Sequence, residues 1–400
     1  MLERLGSLGE LQDQMQCDRA WVEINLEALT HNVRQLKQWL APKTDLMAVV
    51  KADAYGHGAI AVARTALAAG ATWLGVATVS EGIQLRRAGI EAPILILGAT
   101  HTPDQIRAIA YWRLDPTLCT PQQAQTFSET LASLDRHLPV HLKIDTGMSR
   151  LGMPWQEAVK FVQAVQDLPH LRIASVYSHL ATADDPDPTI LYQQHQRFEV
   201  AIAQVRAANL PLPRLHLANS AATLADRSLH YDMVRVGLAT YGLYPAPHLR
   251  SVLPLRPVMQ VKARITQVKH IQPGTGVSYG HRFVADRPMD IATVGIGYAD
   301  GVPRNLSNRM TALLRGQPVA QLGSVTMDQL MLDMTSIDQP QVGEIVTLLG
   351  RDGAQAITAD DWAELLGTIS WEILCGFKHR LPRVAVGQPQ TSREASILRI

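Results

Sequence analysis

Short apolar runs punctuate the first 240 residues of this chain. They are "LMAVV" (46–50), "WLGVAT" (73–78), "PILIL" (93–97), "LDPTLC" (114–119), "VHLKID" (140–145), "IASVYSHL" (173–180), "RLHLAN" (214–219) and "MVRVG" (233–237). Their length and β-branched content predict eight buried strands. Between most of them lie Ala-, Gln- and Leu-rich stretches of helical composition, such as "AIAVARTALAAG" and "PWQEAVKFVQAVQ". Strands alternating with helices make parallel βαβ units, and eight of them predict an α/β chain that opens with a closed (β/α)8 TIM-type barrel. A doubly wound open sheet is the structural alternative. The pattern changes after the Pro-rich "GLYPAPHLRSVLPLRP" (242–257), where "VMQVKARITQVKHI", "DIATVGIGY", "TALLRG" and "EIVTLLG" follow one another at Gly, Pro and Asp turns. Short helices are expected only near the end, as in "ADDWAELLG". The chain therefore divides into a polar N-terminal extension (1–20), the barrel (21–250), a mainly β C-terminal domain (255–386) and a tail (387–400).

Composition narrows the function classes. Four hundred residues exceed what one core usually organises, in keeping with two domains. A formal net charge of +1 offers no electrostatic footprint for nucleic acid or an anionic membrane, so a small-molecule partner is favoured. The N-terminus "MLERLGSLGELQDQMQCDRA" scatters charges among its apolar residues and reads as neither a signal peptide nor a membrane span. Three cysteines, Cys17, Cys119 and Cys375, are too few and too distant for a disulfide framework, which fits a reducing cytoplasm. The 14 histidines show no metal-ligand spacing, so no metal is expected.

Candidate chemistry starts from "MAVVKADAYGHG" (47–58), an apolar run that ends in a lysine. Desolvating an unpaired ammonium is costly, so Lys51 is either a strand-end cap in water or a functional amine. In a barrel, the C-terminal strand ends line the active site. Lys51, Arg150, His179, Asn219, Ser220, Arg235 and Gly237 all fall at or near such ends. Each has an ordinary reading alone, as a solvated cap, a hydrogen-bonded core residue or an ion-pair partner. Together on one rim they suggest more. Asn219, Ser220 and Gly237 lie where the last two strands emit their loops, a common phosphate site in such barrels. A lysine across the mouth can bond covalently to an aldehyde on the same cofactor. Pyridoxal 5'-phosphate meets both requirements.

The motifs "AVVKADAYGHG", "KIDTGMSRLGM", "SHLATAD", "LANSAA", "VRVGLATYGLYP", "GVSYG", "GYADGVPR", "GSVTMDQLMLD" and "CGFKHRLPRV" occur in order over nearly the whole chain, outside its N-terminal extension and tail. With them the chain resembles the alanine racemases, pyridoxal-phosphate enzymes of fold type III in which a barrel precedes a β domain. The resemblance implies a homodimer with shared active sites that interconverts L- and D-alanine and supplies D-alanine for peptidoglycan. It makes Lys51 the cofactor-bonded lysine and the base for the D-enantiomer, and Tyr279 the base for the L-enantiomer, contributed by the neighbouring subunit. Tyr55, Ser220 and Gly237 would hold the phosphate, with His179 and Asn219 in the same cofactor-binding set. Arg235 would face the pyridine nitrogen, while Arg150 and the Met327 backbone receive the substrate carboxylate. Asp328 matches a motif position too. In relatives the lysine matching Lys143 can be carbamylated, which would make it an anion able to orient Arg150. At "CGFKHR" the chain departs from many relatives: His379 stands where they have a tyrosine that contacts phosphate.

The chemistry of arginine agrees with this reaction. A guanidinium only donates hydrogen bonds, so a ring nitrogen facing Arg235 stays an unprotonated acceptor and a weaker electron sink than a pyridinium. That favours return of the proton to Cα over its transfer to the cofactor. Racemisation also needs two opposed groups flanking Cα, and a tyrosine base gains from a positive field, here Arg235 and His179 in series. The nearest enzymatic rival is a fold-type-III decarboxylase, which needs the substrate carboxylate in an apolar pocket, whereas Arg150 offers it a cation. A non-catalytic pyridoxal-phosphate carrier would need neither the β domain nor Tyr279.

Overall fold

The computed structural model describes residues 19–377 and 379–387. The tail beyond Gly387, the extension up to Asp18 and its Cys17 lie outside the described residues. The chain forms two compact units. One comprises Ala28–Ala54 and Ala59–Arg256; the other gathers the residues from Pro257 onward with Tyr55–Gly58 and the segment ending at Glu27.

All eight predicted barrel strands form. Following β1 (Ala20–Asn25) along the chain, they are β2 (Asp45–Val49), β3 (Trp73–Val76), β4 (Ile94–Ala99), β5 (Asp115–Leu118), β6 (Leu138–Asp145), β7 (Leu171–Tyr177), β8 (Leu215–His216) and β9 (Met233–Val236). They pair in the order β9-β2-β3-β4-β5-β6-β7-β8, and every pairing is parallel. Two backbone bonds bring the outer strands together, from Asp232 N to Leu215 O (3.0 Å) and from Arg235 N to Ala218 O (3.0 Å). The sheet is thus a nearly closed barrel. Burial on both faces explains why its strands read as continuous apolar runs. Met47, Leu95 and Met233 meet in one buried cluster flanked by Trp73 and Leu97. Local chemistry starts the covering helices: Thr78, Thr102 and Thr120 cap Val79–Arg87, Pro103–Trp112 and Pro121–Ala132. Proline occupies the first turn of the latter two, where no N–H is missed.

The second unit is a mainly antiparallel sheet of nine strands. Its strands are β10 (Met259–Ile271), β11 (Met289–Val294), β12 (Thr311–Leu314), β13 (Gln317–Leu322), β14 (Leu330–Asp333), β15 (Ile345–Asp352), β16 (Gln355–Ile357) and β17 (Arg383–Val386), joined by β1. The order is β16-β15-β12-β13-β14-β11-β10-β1-β17. β1 runs antiparallel to β10 and parallel to β17, so the first described strand closes a sheet built from the far end of the sequence. The first half of β10 alternates buried and half-buried positions, the period of a sheet with one solvated face. The "ADDWAELLG" helix forms at Ala359–Leu366, started by a Thr358–Asp361 capping box and ended by Gly367 in the left-handed region.

Candidate active site

Lys51 stands just beyond β2, where the backbone takes an uncommon form. Residues Lys51–Gly56 make a helical turn in which Ala52, Asp53, Ala54 and Tyr55 all have φ between 52° and 56°, with Gly56 at 79°. This is a left-handed helix of L-residues, which costs about 1–2 kcal/mol for each non-glycine residue. Local bonds hold it. Ala54 N donates to Val50 O (2.9 Å), Ala52 N to Glu81 Oε1 (2.8 Å) and Ala59 N to Asp53 Oδ1 (2.7 Å). The other oxygen of Glu81 accepts from Ala77 N and Thr78 N, so one carboxylate ties the turn after β2 to the loop after β3. Tyr55 and Gly56 group with the second unit. A Cβ on Gly56 would stand 2.6 Å from the Leu374 carbonyl oxygen, and Arg383 Nε donates to the Gly56 carbonyl (3.1 Å), so only glycine fits. Burial, and then Cys375, push the Tyr55 hydroxyl well up, which keeps it protonated.

Arg235 lies on β9 inside the barrel and is 4% exposed. Its Nη1 donates to His216 Nδ1 (2.9 Å), and its Nη2 contacts the carbonyls of Ser178 (2.7 Å) and Leu217 (3.0 Å) and His179 Nδ1 (3.2 Å). The guanidinium also stacks over the Tyr177 ring at 5.1 Å. No carboxylate pairs with it among the described residues. Burial lowers its pKa to about 10, so it remains a cation at neutral pH. His179 is pushed well below the usual imidazole range, by burial first and then by the charges of Arg235, Lys143, Arg150 and Lys51. The positive field expected from Arg235 and His179 in series therefore comes from Arg235 alone. Because Arg235 can only donate, Nδ1 of the neutral His179 accepts and its proton sits on Nε2.

The loops after β8 and β9 meet where the sequence places them. Asn219 Oδ1 caps the Ser220–Ala225 helix at Ala222 N (3.0 Å). Ser220 Oγ receives Gly237 N (3.0 Å) and Ala239 N (3.4 Å). Hydroxyl and amide donors thus converge at the end of two adjacent strands, a donor set suited to a phosphate dianion. Together with the unpaired cation of Arg235, these residues fit pyridoxal phosphate.

Lys143 projects from β6 and is 5% exposed, with its Nζ 5.6 Å from the centre of the Tyr177 ring. Its pKa is lowered to about 8, by burial first and then by Arg235. In the loop beyond, Asp145 Oδ1 accepts from the backbone N–H groups of Gly147, Met148 and Ser149, folding the segment that presents the exposed Arg150.

Tyr279, Met327 and His379 belong to the second unit and are all exposed. Tyr279, 75% exposed, sits in a tight turn whose shape depends on positive φ at Ser278 and Gly280. That turn is tied to the Met327 segment, since Ser278 Oγ donates to Ser324 O (2.7 Å) and Ser324 Oγ to Tyr279 O (3.0 Å). Met327 is 52% exposed, and its carbonyl accepts from Ala299 N (3.0 Å). Asp328 pairs with Arg380, the neighbour of His379, at 2.5 Å. Buried Asp300 bonds Arg19 through both oxygens and reaches Gly297 N (2.9 Å), fixing the strand end against which Met327 rests. Glu81, His216 and Asp300 were not singled out from sequence. Only the proximity of Asp300 to the glycines of "GIGYADG" signals that it holds a backbone turn.

Residues 24–245 match the family model "Alanine racemase, N-terminal domain" and residues 258–385 match "Alanine racemase, C-terminal domain". The alanine racemase of Nostoc sp. is 67% identical over 385 residues, covering 94% of this chain and all of that protein. The solved alanine racemase of Streptomyces coelicolor superposes with a TM-score of 0.88 at 37% identity, covering 94% of this chain and 100% of that one. The histidine racemase of Leuconostoc mesenteroides gives a TM-score of 0.84 at 32% identity, covering 92% of this chain and 98% of that one.

Proposed function

The chain belongs to the alanine racemase family, and we propose that it interconverts L- and D-alanine with Lys51 and Tyr279 as opposed bases, in a cytoplasmic homodimer whose sites are shared. The observation that carries this reading is Arg235, a buried guanidinium with four protein acceptors and no carboxylate, at the mouth of a barrel whose last loops present phosphate donors. Pyridoxal phosphate, used throughout this family, acidifies the Cα–H of an amino acid bonded to its aldehyde carbon. Lys51 would hold that aldehyde in the resting protein. Tyr55, Ser220, Gly237 and Asn219 would seat the phosphate. Arg235 would donate to the ring nitrogen and keep it an acceptor.

The remaining residues handle the substrate. Arg150 and the backbone of the partner's Met327 would bind the carboxylate and set the Cα–H bond toward one base or the other. Lys51 takes or returns the hydrogen on the D face, and the partner's Tyr279 does so on the L face. The Nε2–H of His179 then provides a donor for a tyrosine oxygen that has lost its proton. With its pKa lowered to about 8, Lys143 has a fraction of free amine that can take up carbon dioxide, releasing a proton and forming a carbamate that would pair with Arg150. His379, exposed on the second unit, would face the phosphate entrance, where its side chain differs in reach from the tyrosine of relatives.

No described helix is long and apolar enough to cross a membrane. A decarboxylase would lose carbon dioxide instead of exchanging Cα–H, so one assay separates the readings. Purified protein incubated with L-alanine in D₂O should yield D-alanine with deuterium at Cα and release no carbon dioxide. Carbon dioxide without Cα-deuterated alanine would overturn the reading.

A further inference from the structure

Beyond Arg235, a line of polar side chains crosses the barrel interior. His216 Nε2 lies 2.8 Å from Ser175 Oγ, which lies 2.6 Å from His141 Nδ1. His141 Nε2 has no hydrogen-bond partner, and Asp115 Oδ2 lies 3.9 Å from it. His141, Ser175 and His216 are all fully buried. Aromatic contacts fix the two rings: His216 stacks on Tyr177 at 4.5 Å and 6°, and His141 meets Trp73 edge-on at 5.5 Å.

Hydrogen-bond direction determines every proton in this line. Arg235 has only donors, so His216 Nδ1 must accept. His216 is neutral, pushed well below the imidazole range by burial first and then by Arg235, so its proton is on Nε2 and is given to Ser175 Oγ. Ser175 must then turn its own proton to His141 Nδ1, which leaves the His141 proton on Nε2, 3.9 Å from Asp115 Oδ2. The reverse order would set two N–H groups against each other between His216 and Arg235, and a ring lone pair against the Asp115 carboxylate. Both ends therefore select the same arrangement.

We infer that Asp115 and His141 are positioning residues which, through Ser175 and His216, hold the Arg235 guanidinium in the orientation in which it would face the pyridine nitrogen. The positioning role rests on the proposed placement of Arg235, whereas the proton order can be measured without it. A neutral imidazole whose far nitrogen donates is a stronger acceptor at the near one, so the line tightens the bond on Arg235.

The test is side-chain ¹⁵N NMR of the holoenzyme with labelled histidine, assigned with His141→Gln and His216→Gln. Both His141 and His216 should be in the Nε2–H form. A His216 that is Nδ1–H or doubly protonated, or a His141 protonated on Nδ1, overturns the inference whatever Arg235 faces. The second arm uses kinetics. Ser175→Ala should lower kcat about tenfold while KM for alanine changes less than about twofold, and Ser175→Thr, which keeps the hydroxyl, should restore most of the loss. Asp115→Asn should leave His216 in the Nε2–H form, since Arg235 fixes that end of the line, and an Nδ1–H His216 in that variant overturns the proton order. Correct tautomers with an unchanged kcat in Ser175→Ala would refute the positioning role while leaving the proton order standing.

Discussion

Lys143 shows how burial alone sets chemistry at a single residue. Its ammonium has no carboxylate within ion-pair distance among the described residues, and it shares its surroundings with Arg235 and Arg150. Its pKa falls from 10.5 to about 8. Between those values the unfolded chain binds the proton and the folded chain does not, so stability should rise with pH across that window. Below it, folding carries a penalty of about 3 kcal/mol, the shift converted at about 1.4 kcal/mol per unit. In buffer free of carbon dioxide, Lys143→Met should therefore raise the unfolding midpoint at neutral pH and flatten the stability slope between pH 8 and 10.5. An unchanged slope would mean that another group titrates there. Added bicarbonate should stabilise the parent chain and leave the variant unaffected. That Lys51, Arg235 and Ser220 lie at or near the ends of barrel strands was legible because strand ends are local in sequence. His141, Ser175 and His216 were not, because a polar residue inside an apolar run reveals neither its partner nor the direction of its hydrogen bonds.

At the scale of elements, the eight barrel strands were readable because both faces are buried and the signal does not depend on register. The left-handed turn after Lys51 was not, since "KADAYG" carries no glycine before Gly56 and its composition suits an ordinary helix. Side-chain hydrogen bonds impose it, one from Ala52 N to the sequence-distant Glu81 and one from Ala59 N to Asp53 within the same segment. Strain of this kind stands directly beside the proposed cofactor lysine, where it fixes the angle at which Lys51 leaves β2. Ala52 is exposed, so removing its Cβ leaves no cavity. Ala52→Gly should relieve about 1–2 kcal/mol of left-handed strain against about 0.5–1 kcal/mol of added chain flexibility, a small net gain in stability by chemical denaturation. A loss larger than about 1 kcal/mol would contradict the left-handed assignment. Strand β1 was also missed, because "AWVEIN" alternates like any half-buried strand while its partners lie at the other end of the chain.

At the scale of the whole molecule, the central claim is that one chain's Lys51 works with the other chain's Tyr279. Within one chain the two residues belong to different compact units, and Tyr279 stands exposed on a turn built to present it. A dimer that exchanges these groups across its two-fold axis gives each site one base from each subunit. The measurement is alanine racemisation by mixed dimers of two inactive variants, Lys51→Ala and Tyr279→Phe, co-expressed with different tags and purified through both. Random pairing makes about half the dimers mixed, and in each of these one site joins an intact Lys51 to an intact Tyr279. The unfractionated preparation should then recover about a quarter of parental activity, and the doubly purified fraction about half. Folded mixed dimers with no activity above either single variant would contradict the shared site.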